Sequence, residues 1–189
     1  MIAKVKSAAV VGIDAQLVQV EVDVSPGLPR NHRMNFDVWH EEDAARRDDL
    51  GPERVRQAKR TIDRCNQSRN DAVEALDVWL LRQLPPAGHL TPQHSETPGM
   101  IVDRLSILSL KVYHMHIEAT RESASREHRD QCRAKFAVLE QQAGDLQGCL
   151  TVLLEELRMG TRHFKLYRQL KMYNDPALNP ELYTAPPPM

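Results

Sequence analysis

Cysteine is scarce in this chain: three residues, Cys65, Cys132 and Cys149, in 189. The number is odd and no Cys-x-x-Cys spacing occurs, which argues against a disulfide framework and a paired-cysteine zinc or redox motif. Uninterrupted apolar runs of about 18 residues are missing, so no membrane span is expected. No long apolar stretch follows the first lysines, so no secretory leader is expected. Neither sign of charge is in excess: 25 Lys and Arg stand against 26 Asp and Glu, a net charge of −1. A dedicated DNA binder would show a basic surplus. Several catalytic signatures are also absent. There is no G-x-x-x-x-G-K-[ST] loop, no His-Glu-x-x-His and no G-x-S-x-G elbow. Glu-x-x-His, the repeated motif of di-iron bundles, does not occur either. These gaps lead to the expectation of a cytoplasmic protein with buried free thiols and neither metal nor cofactor.

What is present divides into two pieces. In residues 1–29, Val18, Val20, Val22 and Val24 alternate with Gln19, Glu21 and Asp23. That period of two predicts a half-buried strand, with a turn near Gly12–Asp14 and a stop at Ser25-Pro26-Gly27. After Arg30 the period becomes helical. A short helix is expected over about 35–47 with Asn35 as N-cap. A long helix follows from Pro52 to about Leu84. Its seam reads Val55, Ala58, Ile62, Cys65, Arg69, Ala72, Leu76 and Trp79 at alternating spacings of three and four. Thr97-Pro98 starts a further helix as cap and first-turn proline. That helix is apolar on most sides, through Ile101, Leu105, Leu108, Val112 and Met115, and is expected to be central. Ser123–Ser125 breaks the pattern. The next seam runs Cys132, Phe136, Leu139, Ala143, Leu146, Leu150, Leu153, Leu157, with Gly160 as C-terminal cap. A short basic helix is expected from Thr161 to about Tyr173, then a disordered tail over 184–189. The fold class expected is all-α: a helical bundle over 30–183 with long antiparallel helices, preceded by a β-hairpin-like appendage.

Two resemblances attach to these pieces. MIAKVKSAAVVGIDAQLVQVEVDVSPGLP resembles the beginning of magnesium-chelatase-like competence ATPases. The likeness stops at residue 29 and brings no ATPase activity with it, because the phosphate-binding loop is absent. From about Leu28 to Tyr183 the chain resembles the bacterial family called domain of unknown function 4254. NFDVWHEEDAARR (35–47), RTIDRCNQSRNDAVEALD (60–77), SETPGMIVDRLSILSLKVYHM (95–115) and RHFKLYRQLKMYNDPALNPELY (162–183) carry that likeness. The resemblance implies small helical proteins whose genes often neighbour glycosyltransferases of surface-polysaccharide pathways. It also implies that relatives carry a further N-terminal helical segment. The hairpin piece is therefore expected to be a fusion or a start-site artefact, with Met34 as an internal initiator.

The charged residues inside the apolar seams are the site candidates. A buried Arg69 needs an anionic partner, because an unpaired charge in a core is costly. Asp103 or Glu96 is the expected partner, and Asp63 or Asp71 the expected partner of Arg104. Arg104 and Lys111 are seven apart and share a stripe; Asp103 and His114 share another. Two readings are open: interhelical ion pairs that set register, or a pocket for an anionic ligand lined by Arg69, Asn70, Glu96, Asp103, Arg104, Lys111 and His114. His114 is expected to be hydrogen-bonded. In the basic stretch, Arg162, Lys165, Arg168 and Lys171 either cradle a phosphate at the helix start or pack against the acidic His40–Asp43 segment. Function is thus read as a binding or accessory protein. An enzyme acting on a phosphorylated or nucleotide-linked sugar, with Asp103, Glu96 or His114 as acid or base, is the alternative, and a structural bundle that homo-oligomerises or holds a partner protein is another.

Overall fold

The structure is a computed structural model. It describes residues 5–11, 14–20, 27–86, 90–168, 175 and 177–180, with side chains from Arg30 onward. Two strands open it: β1 (Val5–Val11) and β2 (Asp14–Val20) pair antiparallel, Val5 opposite Val20 and Val11 opposite Asp14. The turn expected near Gly12–Asp14 falls mostly outside the described residues, which resume at Asp14. The expected strand residues Val22 and Val24 lie outside the described residues.

Among the described residues four α-helices follow: α1 (Gly27–Ala44), α2 (Pro52–Gln83), α3 (Pro98–Thr120) and α4 (Arg126–Arg158). The first differs from expectation. It begins eight residues earlier, so Asn35 sits inside the helix rather than capping it. Pro29 does not block that start. A first-turn proline lacks only an N–H that would have had no intrahelical partner.

The other helices obey their local signals. Pro52 opens α2. The Thr97 side chain accepts from the Met100 N–H at 3.2 Å, and the Ser125 side chain accepts from the His128 N–H at 3.2 Å. At the end of α4, Gly160 has φ +68°, the Thr161 N–H bonds to the Glu156 carbonyl and the Gly160 N–H to the Leu157 carbonyl. This is the Schellman pattern, and its positive φ is what requires glycine.

The chain does not continue as a basic helix after that cap. Instead β4 (His163–Phe164) pairs in parallel with β3 (Gln93–His94), and the His163 N–H bonds to the Pro92 carbonyl at 3.1 Å. The reversal serves packing. Phe164, 5% exposed, enters the core formed by Ile101, Leu150, Leu153 and Leu157, against which Leu80, Leu84 and Leu105 also lie. Each fully buried side chain of this kind contributes roughly 1.5–3 kcal/mol. A helix at 162–173 would have carried Phe164 away from that cluster. The expected positions Lys171 and Tyr173 and the tail 184–189 lie outside the described residues.

α1 packs along α2, and α3 along α4; the two pairs meet through contacts of α1 and α2 with α3, while β1 lies beside α3. The central placement expected of α3 is therefore observed. Ile101 near its start shares a core cluster with Leu153 and Leu157, and Glu118 near its end pairs with His128 of α4 at 2.9 Å. α2 and α3 are also locked by a buried carboxylate. Asp77, 1% exposed, accepts from the Thr97 hydroxyl and, at 2.7 Å, from the Gly99 N–H. Burial raises the pKa of Asp77 above the ordinary carboxylate value, and those two donors oppose the shift. None of the described helices is long and apolar enough to cross a membrane.

Candidate functional site

Where α1, α2 and α3 meet, polar side chains converge in an otherwise apolar junction. Asn31 and Asn35 are one turn apart on α1 and only 4% and 3% exposed. Asp103 and Ser106 are one turn apart on α3. The Asn31 amide donates to Asp103 Oδ1 at 3.1 Å. The Asn35 amide donates to the same oxygen at 3.0 Å and to Ser106 Oγ at 3.0 Å. His32 Nδ1 lies 2.9 Å from Ser106 Oγ on the outer side. From α2, Arg69 donates through Nη1 to Asn35 Oδ1 at 3.1 Å, and its Nε stands 3.7 Å from Asp103 Oδ2.

The cluster is a key between three helices. Each asparagine donates to the half-buried Asp103 carboxylate. Arg69 and Asp103 keep partial access to solvent, with side chains 22% and 17% exposed. Yet Arg69 Nε is buried and has no hydrogen-bond acceptor. Its separation from Asp103 is an ion-pair distance, too long for a hydrogen bond.

A family described as "protein of unknown function (DUF4254)" matches residues 27–166, from the first residue of α1 to just past β4. The chain belongs to the DUF4254 family. No curated protein and no solved structure matches it. The match gives no support to the chelatase-like reading of residues 1–29. Within this DUF4254 chain, the cluster joins residues from the three stretches 35–47, 60–77 and 95–115.

Other candidates in the DUF4254 chain go elsewhere. Arg104 pairs with Glu96 at 2.7 Å, not with Asp63 or Asp71, and both side chains are largely exposed. Adjacent helical positions diverge by about 100°, so α3 cannot turn Asp103 and Arg104 to the same neighbour. Lys111 is exposed on that outer stripe, and Asn70 is half-buried next to Arg69. His114 is not hydrogen-bonded through Nε2, which is buried without a partner. Its ring stacks flat on Trp39, centroids 4.5 Å apart and planes 3° apart. Burial first, then the neighbouring His40, lower its pKa, while Asp43 opposes. Glu118, one turn on, is taken by His128 and Arg121, both at 2.9 Å.

The basic stretch pairs locally and offers no helix start at Thr161. Arg162 binds Glu156 of α4 at 2.9 Å and holds that carboxyl below the usual range. Arg168 reaches Glu74 of α2 at 3.2 Å, and Lys165 is exposed. The acidic segment finds other partners: Glu41 pairs with Arg54 at 2.7 Å and Glu42 with Arg46 at 3.0 Å. Among the described residues no three His, Cys, Asp or Glu side chains are placed to hold a metal.

A cleft of about 430 Å³ opens between α1 and α2, lined in part by Met34, Asp37, Glu41, Cys65 and Ser68. His40 and Glu41 of the acidic segment also line it, and none of the proposed ligand-binding residues does. Burial, then Asp37, raises the Cys65 thiol pKa, which keeps it protonated. Cys65 and Cys132 are buried and Cys149 is exposed, as the seams anticipate.

Sequence reasoning missed Asn31, Asn35, His32 and Ser106. The pair Asn31/Asn35 at one-turn spacing was a usable signal, but only once α1 is extended back to Gly27.

Proposed function

We propose that this DUF4254 protein is a binding or accessory protein for a small anionic molecule, and that Arg69 at the three-helix junction receives it. The supporting observation is Arg69 Nε, a buried donor with no acceptor. Asn35 fixes one arm of the guanidinium, so the fork is pre-oriented for two oxygens of one anion. Phosphate and phosphorylated or nucleotide-linked sugars are the matching class. The family resemblance, with its surface-polysaccharide context, points the same way. We read residues 30–183 as an antiparallel helical bundle working in the cytoplasm.

The enzyme reading has less behind it. Asp103 and His114 are eleven residues apart on one helix, about 16 Å along its axis. Glu96 is committed to Arg104.

The test is a thermal-shift screen of the full chain with inorganic phosphate and sugar nucleotides, run beside Arg69→Lys. Lysine keeps the charge and removes the fork. A ligand at 100 times its dissociation constant stabilises by about 2.7 kcal/mol. The expected result is a shift in the wild type that falls at least by half in the variant. A flat screen, or equal shifts in both proteins, would overturn the proposal.

A further inference from the structure

α4 spans 33 residues, and among the described helices it packs lengthwise only on α3. Its opposite side faces solvent. Asp130, Arg133, Ala137, Gly144, Gly148, Thr151, Glu155 and Arg158 are all exposed there. At 100° per residue, each points within about 40° of the direction of Gly144.

Four of the charges on this face are arranged symmetrically with opposite sign, while Glu140, also exposed there, has Gly148 as its counterpart about Gly144. Arg133 lies eleven residues before Gly144, and Glu155 eleven after. Asp130 lies fourteen before, and Arg158 fourteen after. Each half forms its own ion pair, Arg133 with Asp130 and Arg158 with Glu155, the latter at 2.6 Å. A second α4 laid antiparallel about Gly144 therefore sets Arg133 against Glu155 and Asp130 against Arg158, at both ends. A parallel copy in register would set like charges together.

The middle of the face suits a close approach. Nothing lies within 4 Å of a Cβ built on Gly144 or on Gly148. Glycine weakens a helix relative to alanine, so two of them in an exposed helix interior call for a reason, and room for a neighbouring backbone supplies one. Val152, 59% exposed, flanks the same strip.

We infer that the protein forms a homodimer through α4, with two copies antiparallel about a two-fold axis at Gly144. The contact is isologous, so each copy uses the same patch and the assembly closes at two. It is separate from the Arg69 junction and does not depend on the ligand proposed there.

Sedimentation equilibrium of the full chain at low ionic strength tests this. The wild type is expected to pass from monomer to dimer as concentration rises. Arg133→Glu alone and Glu155→Arg alone should each raise the dissociation constant about tenfold, since each sets like charges together at both ends. The double variant should recover most of that loss. Gly144→Leu should abolish the dimer without lowering the unfolding temperature measured at concentrations where the wild type is monomeric, which separates a blocked contact from a damaged fold. A wild type monomeric at every concentration would overturn the inference. So would a dimer indifferent to Gly144→Leu, or a charge exchange that restores nothing.

Discussion

Gly99 and Gly144 are both helical glycines, yet alanine is expected to act on them in opposite directions. A Cβ on Gly99 would lie 2.7 and 2.8 Å from the two carboxylate oxygens of Asp77 and 2.8 Å from the Val73 carbonyl oxygen. The Val73 oxygen is backbone of α2 and cannot swing aside. Asp77 is also fixed, because it is 1% exposed and held by the Gly99 N–H and the Thr97 hydroxyl. Alanine at 99 therefore pushes the first turn of α3 away from α2. Overpacking of this kind costs about 1–3 kcal/mol. Weakening the hydrogen bonds to Asp77 adds about 1–3 kcal/mol. The total is roughly 2–6 kcal/mol; at about 2–4 °C per kcal/mol for a chain of this size, the melting temperature falls by roughly 4–24 °C. At Gly144 nothing lies within 4 Å, so alanine there gains only helix propensity, about 0.5–1 kcal/mol, and the melting temperature rises by roughly 1–4 °C. Thermal and urea unfolding followed by circular dichroism measures both. The lowest workable concentration keeps self-association out of the comparison. A Gly99→Ala protein that melts within about a degree of wild type would show that α2 and α3 do not approach as described.

Two other expectations follow from buried polar groups. Asp77 has a raised pKa, so the folded protein holds its proton to higher pH than the unfolded chain does. Its contribution to stability is complete below the ordinary value of 3.8 and declines as pH rises through the folded pKa. The unfolding free energy of Asp77→Asn, which cannot titrate, should therefore improve relative to wild type as pH rises from 3.8; a difference that is flat or falls with pH would refute this. Asn35→Ala should cost about 2–4 kcal/mol in urea unfolding, because it strips a donor from the half-buried Asp103 and an acceptor from Arg69. Arg104→Ala, which loses only a largely exposed pair with Glu96, should cost under about 1 kcal/mol, and equal losses in the two variants would contradict the distinction.

Much of the helical framework was legible in the sequence. The seams of α2, α3 and α4 fall where the apolar spacing puts them: Ala58, Ile62, Cys65, Ile101, Val112, Leu150 and Leu153 are all buried. The caps at Thr97 and Gly160 are also where their residue types indicate. Of the candidate site, the pairing of Arg69 with Asp103 was within reach, because a charge on a buried seam restricts its partners to a few acids on facing helices. The start of α1 was misread because Ser25-Pro26-Gly27 reads as a strand stop and Asn35 as a helix cap, which hid Asn31 and Asn35 from the site.

The sequence alone determined the local features: which residues share a helical face, where α2, α3 and α4 start or stop, and that the charges nearly balance. Periodicity and capping are settled by interactions within four residues, so the chain carries them without reference to its fold. The tertiary structure decided everything that depends on how the helices are turned toward one another. It sent Arg104 out to Glu96 while Asp103 turned in to the asparagines. It folded Phe164 back into the core and broke the basic helix that its segment suggested. It stacked His114 on Trp39. A rotation of one residue, about 100°, exchanges one partner for another at no local cost, and only the packing of the whole core fixes that angle.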